Sequence, residues 1–368
     1  MIKYYKYTNI IHYYHRALIG NGGVTNSLWS MCRAYYDKKI KTYVAYDKKL
    51  EKKKLKFHSK KVIKLPTRHF LSGIFKFPDN FLKSFNKENT ILCVHSGFII
   101  SNLIIIIFAR IRKIKVILIP HGCYDPYVLN KKKILKLIWI SIEKFIYKNF
   151  VIFQVFSEKD KKNIKKIFDK NKVIVVPQPI SLYKIIKTKK KKSYISYLGR
   201  YDIETKGLDI LIESYKLVSK NLRIPLIMHG TPGRKDDATN IKKIIKKNDL
   251  IFWIKVKGPI YGNKKINFLL NSKLAVYPSR YDNFPLSLFE ALSLNVKCIV
   301  SENMMISDFL KKNNLCLISK NTPKNISKYI TDFLNKKILL KSNSRIFIKK
   351  NLNNKIIKKL FLNNIENS

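Results

Sequence analysis

Residues 197–215 read YLGRYDIETKGLDILIESY. An apolar run over 194–198 stops at Gly199, and Leu208, Leu211, Ile212 and Tyr215 then recur at the i, i+3, i+4, i+7 spacing of a helix with one buried stripe. A strand that feeds a helix through a glycine turn is half of a βαβ unit. The arrangement leaves Arg200 at a strand's carboxyl end and Lys206, followed by Gly207, just before the helix. Arginine can hold a phosphate bidentately and lysine as a point charge. Taken singly, each is equally one more solvated cation in a chain rich in them.

The same alternation continues downstream, with strand-like runs at 226–228, 252–256, 275–277 and 298–300 and helical segments at 208–218, near 266–270 and after Pro285. It also extends upstream, with apolar runs at 10–14, 90–94, 116–119, 151–156 and 173–176. Between the first two, TNSLWSMCRAY (25–35) aligns Leu28, Met31, Cys32 and Tyr35 on one helical face. The apolar stretch 98–109 is broken by Ser101 and Asn102 and ends at Arg110; it falls short of the roughly 20 residues of a membrane span and reads as a buried helix. Residues 179–193 lose the alternation and carry four consecutive lysines. The expected architecture is α/β, with two doubly wound Rossmann-like domains: residues 1–178, a basic hinge at 179–193, a second domain at 194–345, and a helical tail at 346–368. Ligands of such sheets bind outside the carboxyl ends of the strands, so a cleft lined by both sets of loops is expected.

Composition narrows the class. The chain has 368 residues, 46% of them hydrophobic, and 75 Lys and Arg against 23 Asp and Glu, a formal charge of +52. Such a surface attracts polyanions, either nucleic acid or an anionic lipid leaflet. No helix-turn-helix, zinc-finger or RNA-recognition pattern gathers the cations into one footprint, so a specific nucleic-acid partner is not expected. The five cysteines and seven histidines show no metal-ligand spacing, and no metal site is expected. Residues 1–14 lack the apolar centre of a signal peptide, which predicts a cytoplasmic location.

Against that scarcity of acids, YPSRYDNFPLSLFEAL (277–292) places Asp282 and Glu290 eight positions apart. Asp282 suits the acidic entry of the helix begun near Pro285, a favourable placement that requires no ligand. Glu290 sits among Leu286, Leu288, Phe289, Ala291 and Leu292, where an unpaired carboxylate is costly; a ribose diol would satisfy it. In GNGGV (20–24) a glycine pair follows a strand and opens a helix that Thr25 or Asn26 can cap. Either a phosphate approaching the backbone or a plain tight turn accounts for it.

Together these motifs resemble the retaining glycosyltransferases of sequence family four, which have the GT-B fold; the resemblance covers most of the chain and is strongest over 194–302. It implies that Arg200 and Lys206 hold the nucleotide diphosphate, that Asp282 faces the sugar hydroxyls and Glu290 the ribose, and that Gly22 and Gly23 face the diphosphate from the first domain. By the same resemblance Asn283, Phe284, Pro285 and Leu286 belong to the donor-binding loop, and His121 in PHGCYD (120–125) lies near the transferred sugar. VVPQPI (175–180) is similar to the family's hinge and SEKD (157–160) to the start of a late helix. Asp282 stands where glutamate is usual, Pro285 where glycine is common, and Gln178 and Pro179 where asparagine and glycine are frequent.

The expected function is metal-independent, retaining transfer from a UDP- or GDP-linked nucleotide sugar, with no other cofactor, to a saccharide or lipid-linked saccharide acceptor of a surface polysaccharide or lipopolysaccharide. Catalytic roles fall to His121, Arg200, Lys206 and Asp282. The alternatives are a GT-B epimerase, a non-catalytic subunit, or a basic nucleic-acid-binding protein. His95 either lines the acceptor side or is a structural histidine, and His229 either closes a strand-end turn close to the nucleotide or contacts the ligand there. KKKILKLIWISIEKFIYKNF (131–150) mixes lysine with large apolar residues. It reads either as core packing or as a face for an anionic membrane surface, which would place the protein peripherally at the inner membrane face.

Overall fold

The computed structural model describes residues 6–18, 22–50, 62–70, 77–183, 193–233, 236–338 and 343–366. Gly20 and the lysine run 189–192 lie outside the described residues. The chain divides into two compact units, Met1–Pro179 with Leu352–Ser368, and Ile180–Asn351.

The first unit contains β1 (Asn9–Tyr13), α1 (Gly23–Tyr35), β2 (Lys41–Asp47), β3 (Val62–Thr67), a small antiparallel pair β4 (His69–Phe70) and β5 (Phe77–Pro78), β6 (Thr90–His95), α2 (Ile100–Ile111), β7 (Lys115–Ile119), α3 (Pro126–Leu129), α4 (Lys133–Tyr147), β8 (Val151–Val155), α5 (Glu158–Ile167) and β9 (Val173–Val175). Its sheet is parallel throughout, in the order β3-β2-β1-β6-β7-β8-β9. Strand order reverses between β1 and β6. The α1 stripe behaves as its periodicity requires: Leu28, Met31, Cys32 and Tyr35 are fully buried. Ile105, Ile106 and Ala109 of α2 join Leu92, Val94, Val116 and Leu118 in the core, as expected of a buried helix.

The second unit contains β10 (Tyr194–Leu198), α6 (Ile203–Lys206), α7 (Leu208–Lys216), β11 (Leu226–His229), α8 (Asp237–Lys247), β12 (Ile254–Lys257), α9 (Gly262–Leu270), β13 (Ser272–Tyr277), α10 (Leu286–Ser293), β14 (Cys298–Ser301), α11 (Ser307–Lys312), β15 (Leu317–Ser319), α12 (Pro323–Leu334) and α13 (Ser344–Asn351). Its parallel sheet runs β12-β11-β10-β13-β14-β15, with the reversal between β10 and β13. The opening stretch 197–215 therefore borders the crevice that this topology creates.

The segment set apart from sequence as a tail, 346–368, is divided. α13 stays with the second unit, where Ser344 Oγ donates to the Leu292 carbonyl (2.8 Å) and Arg345 Nη1 to that of Ser293 (2.6 Å). The following α14 (Asn354–Glu366) belongs to the first unit. Its apolar face explains this: Ile357, Phe361, Leu362 and Ile365 are buried, and Phe361 stacks on Tyr35 of α1 with ring centroids 4.4 Å apart.

Candidate functional site

In the second unit the loops after β10 and β13 are sewn together. Arg280 grips Asp209 with two hydrogen bonds of 2.8 and 2.6 Å, and Tyr281 N–H donates to the Thr205 carbonyl at 3.1 Å. Gly207 adopts φ 62°, and a Cβ there would sit 2.1 Å from the Pro278 carbonyl oxygen. Only glycine fits both the left-handed conformation and the close approach. This seam brings Lys206 and Asp282 into a salt bridge, with both side chains mostly buried.

The other expected donor residues are placed differently. Arg200 pairs with Asp202 (3.0 Å), which also caps α6 by accepting from Thr205 N–H (2.9 Å). The Arg200 side chain remains about half exposed, at 54%. Glu290 lies in α10 among buried Leu288, Phe289, Ala291 and Leu292, as expected, but it is not waiting for a partner. Tyr183 Oη donates to Glu290 Oε1 at 2.7 Å, and Lys265 Nζ lies 2.5 Å from the same oxygen. Within the chain an internal ammonium and hydroxyl already meet this carboxylate. Asn283 and Phe284 are buried, Phe284 stacked on Phe289 at 4.2 Å. Pro285 is the N-cap of α10 rather than its first residue, and Leu286 opens the helix without a side-chain cap. His229 ends β11 and is satisfied locally, its Nδ1 2.7 Å from the Gly258 carbonyl oxygen.

In the first unit α1 begins at Gly23 with Gly22 as N-cap in an extended conformation, and no side chain caps it. Thr25 and Asn26, expected as caps, lie inside the helix because it starts earlier. Neither glycine has a positive φ, and a Cβ on either would meet nothing within 4 Å. Neither backbone strain nor packing within the chain demands glycine here. Among the described residues this leaves a helix N-terminus that no side chain caps.

His121 follows β7 in a left-handed conformation (φ 53°) and Gly122 continues it (φ 80°), which is uncommon for a non-glycine residue. His95 is fully buried at the end of β6, so it does not line an open surface. Its Nδ1 lies 2.8 Å from His121 Nε2 and its Nε2 lies 2.9 Å from Nδ1 of His12, a residue the sequence did not single out. Burial pulls His12 and His121 down to about 3 and His95 well below its ordinary value, so all three are neutral at pH 7.

On α4 core packing accounts for one face only, where Ile140 and Tyr147 are buried in the first unit's core. Ile134, Leu135, Leu137, Ile138, Ile142 and Phe145 are exposed, Phe145 by 83%, and lysines 131–133, 144 and 148 are exposed beside them. Trp139 turns inward. Its Nε1 donates to buried Glu143 (2.9 Å), which also accepts from Tyr124 Oη (2.9 Å), Tyr147 Oη (3.2 Å) and Phe98 N–H (3.3 Å). Lys136 also turns inward, to the Val128 carbonyl.

Two parallel-sheet Rossmann-like units are the parts of the GT-B fold, and solved structures agree. Sucrose-phosphate synthase from Thermosynechococcus elongatus is 15% identical, with a TM-score of 0.75 covering 98% of this chain and 100% of that one. Anabaena HepE, solved in complex with UDP-glucose, is 13% identical, with a TM-score of 0.74 covering 98% and 100%. At these identities the likeness is one of fold. Residues 181–352, nearly the span of the second unit, match the family model of Glycosyl transferases group 1. Over 112 residues the chain is also 27% identical to O-antigen chain mannosyltransferase B of Escherichia coli, a match covering 30% of this chain and 29% of that protein.

Proposed function

We propose that the chain transfers a sugar from a UDP- or GDP-linked donor, with retention and without a metal, to a saccharide or lipid-linked saccharide acceptor in surface-polysaccharide or lipopolysaccharide synthesis. The observation that carries this reading is the second unit itself: a span matching group 1 glycosyl transferases whose crevice holds Arg200, Lys206 and Asp282. Departure of a nucleoside diphosphate develops negative charge on phosphate oxygens, and pre-placed cations stabilise that charge by several kcal/mol. Arg200 and Lys206 take this role, Asp282 orients the sugar, and Glu290 receives the ribose by exchanging its Tyr183 hydrogen bond for a ribose hydroxyl. In the first unit the open N-terminus after Gly22 and Gly23 suits an anion, and His121 offers a ring nitrogen to a saccharide oxygen. The O-antigen relative supports a surface-polysaccharide product, and HepE with UDP-glucose supports a nucleotide-sugar donor.

A peripheral position on an anionic membrane rests on α4. Six exposed large apolar side chains beside exposed lysines match a surface that is apolar below and anionic above.

The test is incubation of the full chain with a panel of UDP- and GDP-sugars, followed by mass spectrometry. Transfer or slow hydrolysis of one donor is expected. An epimerised nucleotide sugar would convert the reading to an epimerase, and a folded protein that binds no donor would convert it to a non-catalytic subunit.

A further inference from the structure

His12, His95 and His121 form a staircase dictated by strand register. His12 on β1 is paired with Cys93 on β6, and His95 is two residues beyond Cys93. His95 is paired in turn with Ile119 on β7, and His121 is two residues beyond that. Side chains two apart along a strand share a face. Each step therefore moves the imidazole one same-face position towards the carboxyl edge, from the sheet interior at His12 to the partly exposed turn at His121.

Counting protons then fixes the nitrogens. Each neutral imidazole has one N–H and one acceptor nitrogen. Two ring-to-ring hydrogen bonds along three rings allow only two arrangements: all three protons on Nδ1, or all three on Nε2. His12 Nε2 is buried and, among the described residues, has no hydrogen-bond partner. Protons on Nε2 would strand an N–H at that atom, whereas protons on Nδ1 leave only an unused lone pair, and buried orphan donors are the rarer and costlier defect. The backbone that carries the middle ring is held as well, since Asn102 Nδ2 donates to the main-chain carbonyls of His95 (2.8 Å) and Ser96 (2.9 Å).

We infer that His12 and His95 are positioning residues that lock His121 as an Nδ1–H tautomer, so that His121 meets its ligand as a hydrogen-bond donor to an oxygen and not as a base. The direction follows from the chain: His12 Nδ1–H donates to His95 Nε2, His95 Nδ1–H donates to His121 Nε2, and the Nδ1–H of His121 is what remains. No proton is transferred. The ligand class is an oxygen-bearing acceptor group, a sugar hydroxyl under the glycosyltransferase reading, on which this role for His121 rests.

Long-range nitrogen–proton NMR on the ¹⁵N-histidine-labelled full chain at pH 7, without any donor present, reads the tautomer of each ring. Single-histidine variants assign the signals. The expected result is Nδ1–H with bare Nε2 at His12, His95 and His121 alike; protonation of His121 on Nε2, or on both nitrogens, overturns the inference. In His95→Leu the His121 signal should become a mixture of tautomers and transfer should fall at least tenfold while the circular dichroism is kept. A His121 that stays wholly Nδ1–H in that variant shows that His95 does not position it. Because the wild-type spectrum is read without substrate, it stands even if the donor panel finds no transferase.

Discussion

Lys206 and Asp282, 76 residues apart in sequence, are ion-paired at the crevice of the second sheet, so the residue proposed to hold the diphosphate is already engaged by the residue proposed to orient the sugar. Asp282→Asn releases that ammonium and removes a negative charge beside the phosphate position. It should lower transfer and yet raise nucleoside diphosphate affinity several-fold by calorimetry. Weaker binding in the variant would place Asp282 on the nucleotide instead. Lys206→Ala and Arg200→Ala should each reduce turnover by about a hundredfold, the scale of losing one preorganised charge-stabilising donor.

Glu290 should discriminate between nucleotides and bare phosphates. Glu290→Gln is expected to weaken nucleoside diphosphate binding by roughly 1.5 to 3 kcal/mol, the scale of a hydrogen bond to a charged group, and to leave pyrophosphate binding unchanged. Tyr183→Phe should strengthen nucleoside binding slightly, since the tyrosine and a ribose hydroxyl compete for one carboxylate oxygen. Equal losses for both ligands in Glu290→Gln would mean that the carboxylate acts through the fold.

The α4 surface predicts salt-sensitive binding to vesicles containing anionic lipid. Raising salt so that the Debye length falls from roughly 10 Å to 3 Å should release most of the bound protein. Paired Ile138→Asp and Phe145→Asp substitutions should abolish binding even at low salt. Retained binding after both changes would locate the contact elsewhere.

Glu143 gives a pH signature of stability. Burial raises its carboxyl to about 7, against its side-chain hydrogen bonds, which lower it. Between about pH 4.5 and 7 the unfolded chain has released this proton and the folded chain retains it, so the contribution of Glu143 to stability falls as pH rises through that window. Glu143→Gln removes the titration. Its urea midpoint relative to wild type should therefore improve from pH 5 to pH 8; parallel midpoints would refute the assignment. His12 and His121, lowered to about 3, act oppositely by costing stability as pH falls below 6.5, but both proteins share that term.

The alternation of apolar runs made both parallel sheets legible, because buried strands in such sheets read as short apolar blocks. Three strands of these sheets escaped it, one of them the three-residue β15, too short to read as a block. β2, KTYVAYD, begins and ends on charge, and β3, VIKLPT, contains Pro66, which an edge strand tolerates. Arg200, Lys206 and Asp282 were visible because strand ends and glycine turns fix where they fall. Lys265 was not, since nothing in a lysine-rich chain distinguishes one lysine of α9 until its ammonium is seen on Glu290. His12 was hidden for a related reason: a histidine inside IIHYY shows its use only when register sets it beside a partner 83 residues away.

The return of α14 to the first unit has a consequence during synthesis. Residues 180–351 are complete before Phe361 exists to stack on Tyr35 or Lys358 to pair with Asp37. At ribosomal speeds of about 5 to 20 residues per second, the first unit therefore waits on the order of ten seconds or more with the α14-facing side of α1 uncovered. The half of the protein that is translated first is the half that finishes folding last.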